Sequence, residues 1–202
     1  MTRLVELELG GSAEPWEALG FRAGDDGTLR IGEVRLGFTE RAKPGIHGWT
    51  LAGATGDGPI DGLATRRLPA SEPAASDSPA HPNGALRLDH VVVMTPDLQR
   101  TFDALEAAGL DLRRVREAGA VRQGFYRVGE AVLEVVGDVD PPGPARFWGL
   151  VAIVEDLDAV AERLGERLGR PRDAVQAGQR IATVRESAGL GVPVALMTPR
   201  PA

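Results

Sequence analysis

Two strand-like stretches of the sequence each carry one ionisable side chain among apolar neighbours. His90 precedes three valines, and Glu134 lies inside "VLEVV". A buried carboxylate is costly without a cation, a hydrogen-bond donor or water, and a buried histidine needs a partner or a cavity. Imidazole and carboxylate groups also transfer protons and bind divalent metals. His90 and Glu134 are therefore the candidate site residues, as catalytic or ligand-binding groups, as metal ligands, or as groups that satisfy each other.

The elements that must position these residues recur along the chain. "RIGEVRLGF" (30–38) aligns without gaps on "RVGEAVLEV" (127–135), and both read as hairpins with a Gly-Glu turn. "DHVVVMTPDL" (89–98) aligns on "WGLVAIVEDL" (148–157), a strand followed by an acidic helix cap. After the first of these, Asp97 is the expected N-cap of an amphipathic helix.

Each unit is a strand, a helix and then two or three hairpin-connected strands, which favours an antiparallel α+β arrangement over a doubly wound parallel sheet. Residues 69–85 are rich in Pro, Ser and Ala and predict a linker, in which we expect His81 to be solvated. The sequence thus divides into an N-terminal module over 1–66, a linker over 67–85 and a two-module domain over 86–202.

Composition excludes several functional classes. The net charge of -6 argues against a nucleic-acid partner. The absence of cysteine excludes disulfides, thiolate catalysis and cysteine-ligated zinc. The start "MTRLVELELGG" lacks a signal peptide, and no segment approaches the roughly 18 apolar residues of a membrane span. With Lys43 as the lone lysine and many alanines, glycines and prolines, we expect a cytoplasmic protein from a high-GC bacterium.

At "DHVVVMTPDL", "EAAGL" and "VGEAVLEVVG" the chain resembles the vicinal oxygen chelate superfamily, which includes glyoxalase I, bleomycin-resistance proteins and extradiol dioxygenases. The resemblance covers about residues 86 to 200, and the N-terminal piece looks like one further, shortened module. It implies paired βαβββ modules whose curled, mixed sheet forms a cup with helices outside. In metal-dependent members a divalent ion in the cup is held by His, Glu or Gln side chains from the first and last strands of both modules.

The resemblance places the first-strand ligand position on His90 and the last-strand position on Glu134. In the second module the aligned residues are Gly149 and Leu196, which cannot bind a metal through their side chains. In the N-terminal module the aligned residues are Val5, roughly, and Gly37. His47 is the spare imidazole in a strand-like context, but two ligands alone are too few for a usual catalytic metal.

Three further polar residues of "VRQGFYRVG" lie on a strand that would line the cup. Arg122 and Tyr126 share one face of this strand, while Gln123 lies on the other, and the sequence leaves open which face looks inward. We treat all three as candidate substrate-binding residues.

These observations favour a glyoxalase-like protein with a small-molecule binding or catalytic cup and an incomplete metal site. One alternative is a lyase, isomerase or dioxygenase that uses zinc, nickel, manganese or iron. Another is a non-catalytic binding or assembly protein whose cup is filled by side chains. Exposed module edges favour a homodimer.

Overall fold

The structure is a computed structural model that describes residues 1–24, 28–40, 42–73, 78–119, 121–137 and 142–201. It contains thirteen strands, three α-helices and two short 3-10 helices in these ranges. The strands are β1 (Arg3–Gly10), β2 (Leu29–Ile31), β3 (Val34–Thr39), β4 (Gly45–Ala52), β5 (Ala64–Leu68), β6 (Ala85–Met94), β7 (Leu112–Ala118), β8 (Val121–Val128), β9 (Ala131–Val136), β10 (Arg146–Val154), β11 (Arg172–Asp173), β12 (Arg180–Thr183) and β13 (Val194–Met197). The helices are α1 (Glu14–Ala18), α2 (Leu98–Ala107) and α3 (Leu157–Leu164), with 3-10 turns at Gly165–Arg167 and Glu186–Ala188.

The C-terminal sheet has eight strands in the order β11-β12-β13-β10-β6-β9-β8-β7. Its two central strands, β6 and β10, are antiparallel, and each pairs in parallel with the last strand of its own module, β9 or β13. Val91 pairs with Leu150 at the centre, so two βαβββ modules are related by an approximate two-fold axis there. The predicted α+β fold of repeated βαβββ modules in a mixed, unclosed sheet is confirmed.

The N-terminal sheet has five strands in the order β2-β3-β1-β4-β5 and repeats the same pattern in shortened form. β1 pairs in parallel with β3 and antiparallel with β4, which pairs in parallel with β5. The two sheets thus divide the chain near the predicted linker, while the domain boundaries themselves stay a prediction.

Local sequence explains the recurring elements. The β2–β3 and β8–β9 hairpins turn on Gly32 and Gly129, whose φ angles of 61° and 78° favour glycine at the first turn position. Asp97 caps α2 by accepting the Arg100 N–H, and Asp156 caps α3 in the same way through the Asp158 N–H. The buried faces of α2 and α3 are the apolar faces that the sequence pattern predicts.

Unpaired residues interrupt the pairing of β1, β4, β6 and β10, and β6 also skips Leu86 near its start. The register skips Val5 in β1, His47 in β4, Asp89 in β6 and Trp148 in β10. Such β-bulges turn two consecutive side chains towards one face of a sheet. The irregularity is therefore part of the repeat.

The core faces of both sheets and the buried sides of the three helices form one contiguous hydrophobic core. Trp49 of the N-terminal sheet packs edge-on against Phe147 of the C-terminal sheet, with ring centroids 5.3 Å apart. No helix in the described ranges is long and apolar enough to cross a membrane.

A buried polar cluster also joins the two sheets. Asp61, in the loop between β4 and β5, accepts hydrogen bonds from the Thr101 hydroxyl and from the Arg100 guanidinium on α2. The Asp61 carbonyl accepts the N–H of Ala145, just before β10. Three distant chain segments therefore meet at Asp61.

The prediction of a solvated His81 is wrong. The residue is 7% exposed, its Nδ1 accepts the Arg22 N–H at 2.9 Å, and its Nε2 lies 2.7 Å from the Arg30 carbonyl oxygen. Composition indicated a solvated linker because Pro, Ser and Ala carry no apolar period, yet a polar segment can pack when its groups find backbone partners. Residues 74–77 of the predicted linker lie outside the described residues.

Candidate functional site

The bulge in β6 places two ionisable side chains side by side on the cup face of the C-terminal sheet. Leu88 and Val91 point into the core, with exposures of 1% and 0%, while Asp89 and His90 between them both lie on the opposite face. Counted back from His90, regular alternation would place Asp89 on the core side. The extra residue therefore provides the imidazole with an adjacent carboxylate.

His90 lies at the centre of a polar network. Its Nδ1 is 2.9 Å from Asp89 Oδ2, and its Nε2 is 3.5 Å from Glu134 Oε2. Gln123 Nε2 donates to the other Glu134 oxygen at 2.6 Å. The Gln123 Oε1 atom is buried and has no hydrogen-bond partner among the described residues. The network spans β6, β9 and β8, three neighbouring strands.

Burial and charge move the pKa values of the two carboxylates in opposite directions. Burial raises the pKa of Glu134, and the nearby charges of His90 and Arg116 offset this only in part. Burial alone would also raise the pKa of Asp89, but the hydrogen bond and charge of His90, with help from Arg87, hold it below its usual range. The site thus pairs a carboxyl whose pKa lies above its usual range with one whose pKa lies below it, a difference typical of acid–base sites.

The network opens on a cavity of about 190 Å³ in the cup. Its polar wall carries His90, Glu134 and Gln123, and its lining also includes Phe125 and Arg116. The opposite wall comes from the second module: Arg172, Asp173, Ala174, Val175, Gln176, Ile181 and Met197. Met197 and Ile181 belong to a small apolar cluster with Val151, Ile153, Ala174 and Ala195, which fills much of the second half of the cup.

Only part of the predicted substrate-binding set faces this cavity. Gln123 does so, as described above. Arg122 is exposed on the other face of β8. Tyr126, also on that face, is 1% exposed and packs against Phe102 of α2 in the core. His47 lies in the N-terminal sheet, where its Nε2 is 2.6 Å from the Lys43 carbonyl oxygen.

Three residues at the site were not predicted from the sequence. Asp89 was missed because period-2 alternation puts it on the face opposite His90, and the sequence gives no sign of the bulge. Arg116 pairs with Gln123 across β7 and β8, so its place on the cup face could have been found from the hairpin register. Arg172 lies in a two-residue strand that has no sequence pattern.

Two of the residues that the sequence aligned with His90 and Glu134 are wrong by one position. Because Val91 pairs with Leu133 and Leu150 pairs with Val194, the counterpart of Glu134 is Ala195 and not Leu196. Leu196 is 1% exposed and points into the core.

In β1 the pairing of Leu7 with Leu36 makes Glu6, and not Val5, the counterpart of His90. The gapless alignment failed at these points because strand ends and bulges shift the register without changing the apolar pattern. Glu6 is 9% exposed and forms an ion pair of 2.6 Å with Arg35.

Comparison with solved structures identifies the architecture. A mutant of 4-hydroxymandelate synthase from Streptomyces coelicolor aligns over 99% of this chain and 93% of its own, with a TM-score of 0.67 and 16% identity. Methylmalonyl-CoA epimerase from Mycobacterium tuberculosis aligns over 59% of this chain and 92% of its own, with a TM-score of 0.50 and 24% identity. The chain has the vicinal oxygen chelate fold. No family model and no curated protein matches its sequence.

The residues in this vicinal oxygen chelate cup do not fit a usual metal centre. His90 and Glu134 supply two ligands, but their counterparts across the two-fold axis are Gly149 and Ala195. A Cβ atom on Gly149 would lie 2.5 Å from the Pro193 carbonyl oxygen, so the backbone leaves no room for a side chain there. No group of three His, Cys, Asp or Glu side chains placed to hold a metal ion occurs among the described residues, whereas a catalytic metal site needs about three protein ligands.

Proposed function

We propose that the cup binds a small carbonyl compound and that His90 exchanges a proton with it without a metal ion. The observation that carries this proposal is the His90 imidazole, held between Asp89 and Glu134 at the wall of a cavity of about 190 Å³. The vicinal oxygen chelate fold supports a cup, and the chemistry is inferred from the side chains in it.

The hydrogen bonds assign a role to each nitrogen of the imidazole. The charged Asp89 carboxylate accepts the proton of Nδ1–H, which leaves the basic lone pair on Nε2, the atom nearest Glu134. Asp89 therefore orients His90 in the way that a carboxylate orients a catalytic histidine. His90 is the proton acceptor, and Asp89 is a positioning residue.

Glu134 is the complementary acid. The Gln123 amide donates to Oε1, so Oε2 is the oxygen that can present a proton near Nε2, and burial raises the pKa of this carboxyl above its usual range. When Nε2 removes a proton from the carbon next to a carbonyl, the electron pair of the C–H bond forms a C=C bond and the π pair of the carbonyl moves onto its oxygen. The Glu134 O–H then donates to that oxygen, and return of the proton to carbon restores the compound.

The size and lining of the cavity limit the ligand. An apolar cavity of roughly 150 Å³ can hold benzene, so about 190 Å³ fits a body of some six to eight non-hydrogen atoms. Phe125, Ile181 and Met197 line it with apolar surface. A compact carbonyl compound with a hydrocarbon body matches these two features.

Proton exchange can be tested without knowing the natural substrate. We would incubate the protein with cyclohexanone, hexan-2-one or 2-oxohexanoate in D₂O and follow loss of the proton signals next to the carbonyl by NMR. General-base catalysis should accelerate exchange of at least one probe by about 100-fold or more over buffer. His90→Ala should abolish the acceleration, and Glu134→Gln should weaken it. His47→Ala removes an imidazole outside the cup and should leave it unchanged. Equal exchange in the wild-type protein and in His90→Ala would overturn the proposal.

A second candidate is a non-catalytic binding protein. The apolar cluster around Val151, Ile153 and Met197 favours it, because side chains already occupy the second half of the cup. This candidate predicts that a probe binds and raises the melting temperature while its protons exchange no faster than in buffer.

The metal-dependent alternative predicts stoichiometric zinc, nickel, manganese or iron in untagged protein, lost in His90→Ala. A cytoplasmic location and a homodimer remain predictions from the sequence.

A further inference from the structure

A second cavity, of about 270 Å³, lies beside the proton-transfer site. Arg87, Asp89, Glu130, Val132 and two further arginines, Arg127 and Arg200, line it. Asp89 lines this second cavity, while its hydrogen-bond partner His90 lines the first. The two cavities share no lining residue, but they are neighbours on the cup face because Asp89 and His90 are adjacent.

The second cavity carries more positive than negative side chains. Three guanidinium groups face two carboxylates there, in a chain whose net charge is -6. Asp89 is already engaged, because it accepts from His90 and from Arg87 at 3.3 Å. The surplus of one positive charge matches a single anionic group.

The arginines have donors to offer such a group. Arg87 uses Nη1 for Asp89, and Arg127 uses Nε for the Gly129 carbonyl oxygen at 2.6 Å. These bonds orient the guanidinium groups, each of which has five N–H donors. A planar carboxylate can accept two parallel bonds from one such group, which makes arginine suited to its recognition.

The sheet register gives the spacing between the two cavities. Arg127 pairs with Val132 across β8 and β9, and Val132 pairs with His90 across β9 and β6. Neighbouring strands lie about 4.8 Å apart, so the Cα atoms of Arg127 and His90 are roughly 10 Å apart. One small molecule can reach from the arginines to the imidazole.

We propose that the ligand of this cup is an organic carboxylate, with its anionic group bound by Arg87, Arg127 and Arg200 and its apolar body in the inner cavity. This inference rests on the proposed function for the inner cavity and specifies the class of compound that enters it. Because of its arginines, the second cavity binds an acid more tightly than a neutral compound of the same shape.

Binding of hexanoate and of hexanamide, measured by calorimetry, tests this directly, because the two differ only in the charged group. The wild-type protein should bind hexanoate at least about tenfold more tightly, the value of one charge-assisted hydrogen bond. Arg127→Ala and Arg200→Ala should each reduce that preference. Arg122→Ala is the matched control, since it removes an exposed arginine from the other face of β8 and should preserve the preference. Raising the salt concentration should weaken binding of hexanoate but not of hexanamide.

The outcomes separate this inference from the proposed function. Equal affinity for acid and amide, or a preference unchanged in Arg127→Ala, overturns the carboxylate site while leaving the proton-exchange result to stand on its own. A preference lost in Arg127→Ala but kept in His90→Ala supports the site even when no probe exchanges protons. Tight binding of inorganic phosphate with no binding of hexanoate would contradict the inference, because it assigns the cavity to a different anion.

Discussion

Replacing Asp61 by alanine should destabilise the protein strongly, because its carboxylate links the loop between β4 and β5 to α2. Asp61 is 7% exposed at its side chain, and its φ angle of 44° is the one positive value of a non-glycine residue among the described residues. Its carboxylate accepts from the fully buried hydroxyl of Thr101 and from Arg100. The substitution therefore removes a charged acceptor that joins the two sheets.

The expected loss in the free energy of unfolding has three contributions. Loss of a hydrogen bond between a charged group and the buried Thr101 hydroxyl costs about 1.5–3 kcal/mol. The Arg100 side chain is 43% exposed and solvent screens its charge, so its ion pair adds little. Alanine at a positive φ adds about 1 kcal/mol of backbone strain. We expect Asp61→Ala to lower the free energy of unfolding by on the order of 3 kcal/mol, out of a total of roughly 5–15 kcal/mol.

Urea denaturation followed by tryptophan fluorescence measures this loss, because Trp16 and Trp49 are buried. Asp61→Asn, which tolerates the positive φ and keeps one acceptor oxygen, should cost about 1–2 kcal/mol. The matched control is Asp111→Ala: Asp111 is 79% exposed and forms a 3.5 Å ion pair, so its loss should cost less than about 0.5 kcal/mol. A loss of about 1 kcal/mol or less for Asp61→Ala would refute the reasoning, because backbone strain alone would then account for it.

Three further substitutions test other parts of the structure. Burial lowers the pKa of His81, so the folded state resists protonation of this residue. Stability should therefore fall as the pH drops below 6.5, and His81→Gln should flatten the dependence of the urea midpoint on pH between pH 7 and pH 5. Gly124→Ala should cost about 1–3 kcal/mol in the same assay, because its Cβ would lie 2.3 Å from the Phe102 ring; a loss under about 0.5 kcal/mol would contradict this packing. Tyr126→Phe should be neutral or slightly stabilising in thermal denaturation, because the buried hydroxyl has no partner among the described residues; a loss above about 1 kcal/mol would indicate that one exists.

The repeated architecture could be predicted because each of its signals is local. The Gly-Glu turns need a positive φ at the glycine, the Asp97 cap needs only its own helix, and the apolar spacing of α2 reports its buried face. Such signals act within a few residues. They therefore survive in a single sequence without any knowledge of what packs against the element.

The arrangement of the candidate site could be predicted only in part. His90, Glu134 and Gln123 do meet, but Asp89 joins them through a bulge that depends on the pairing of β6 with β10. The choice between the Gln123 and Tyr126 faces of β8 was likewise settled by packing against α2. Features that depend on long-range register leave no trace in the local pattern of residues.

The close approach of Pro193 to Gly149 has an evolutionary consequence. A substitution of Gly149 by histidine would not by itself supply a ligand, because the new Cβ would collide with the Pro193 backbone 2.5 Å away. β13 would first have to move away from β10, and that movement would disturb the parallel pairs from Leu150 to Ile153. Each step alone lowers stability, so sequence change in this chain is expected to diversify the surroundings of His90 and Glu134 rather than to build a symmetric metal centre.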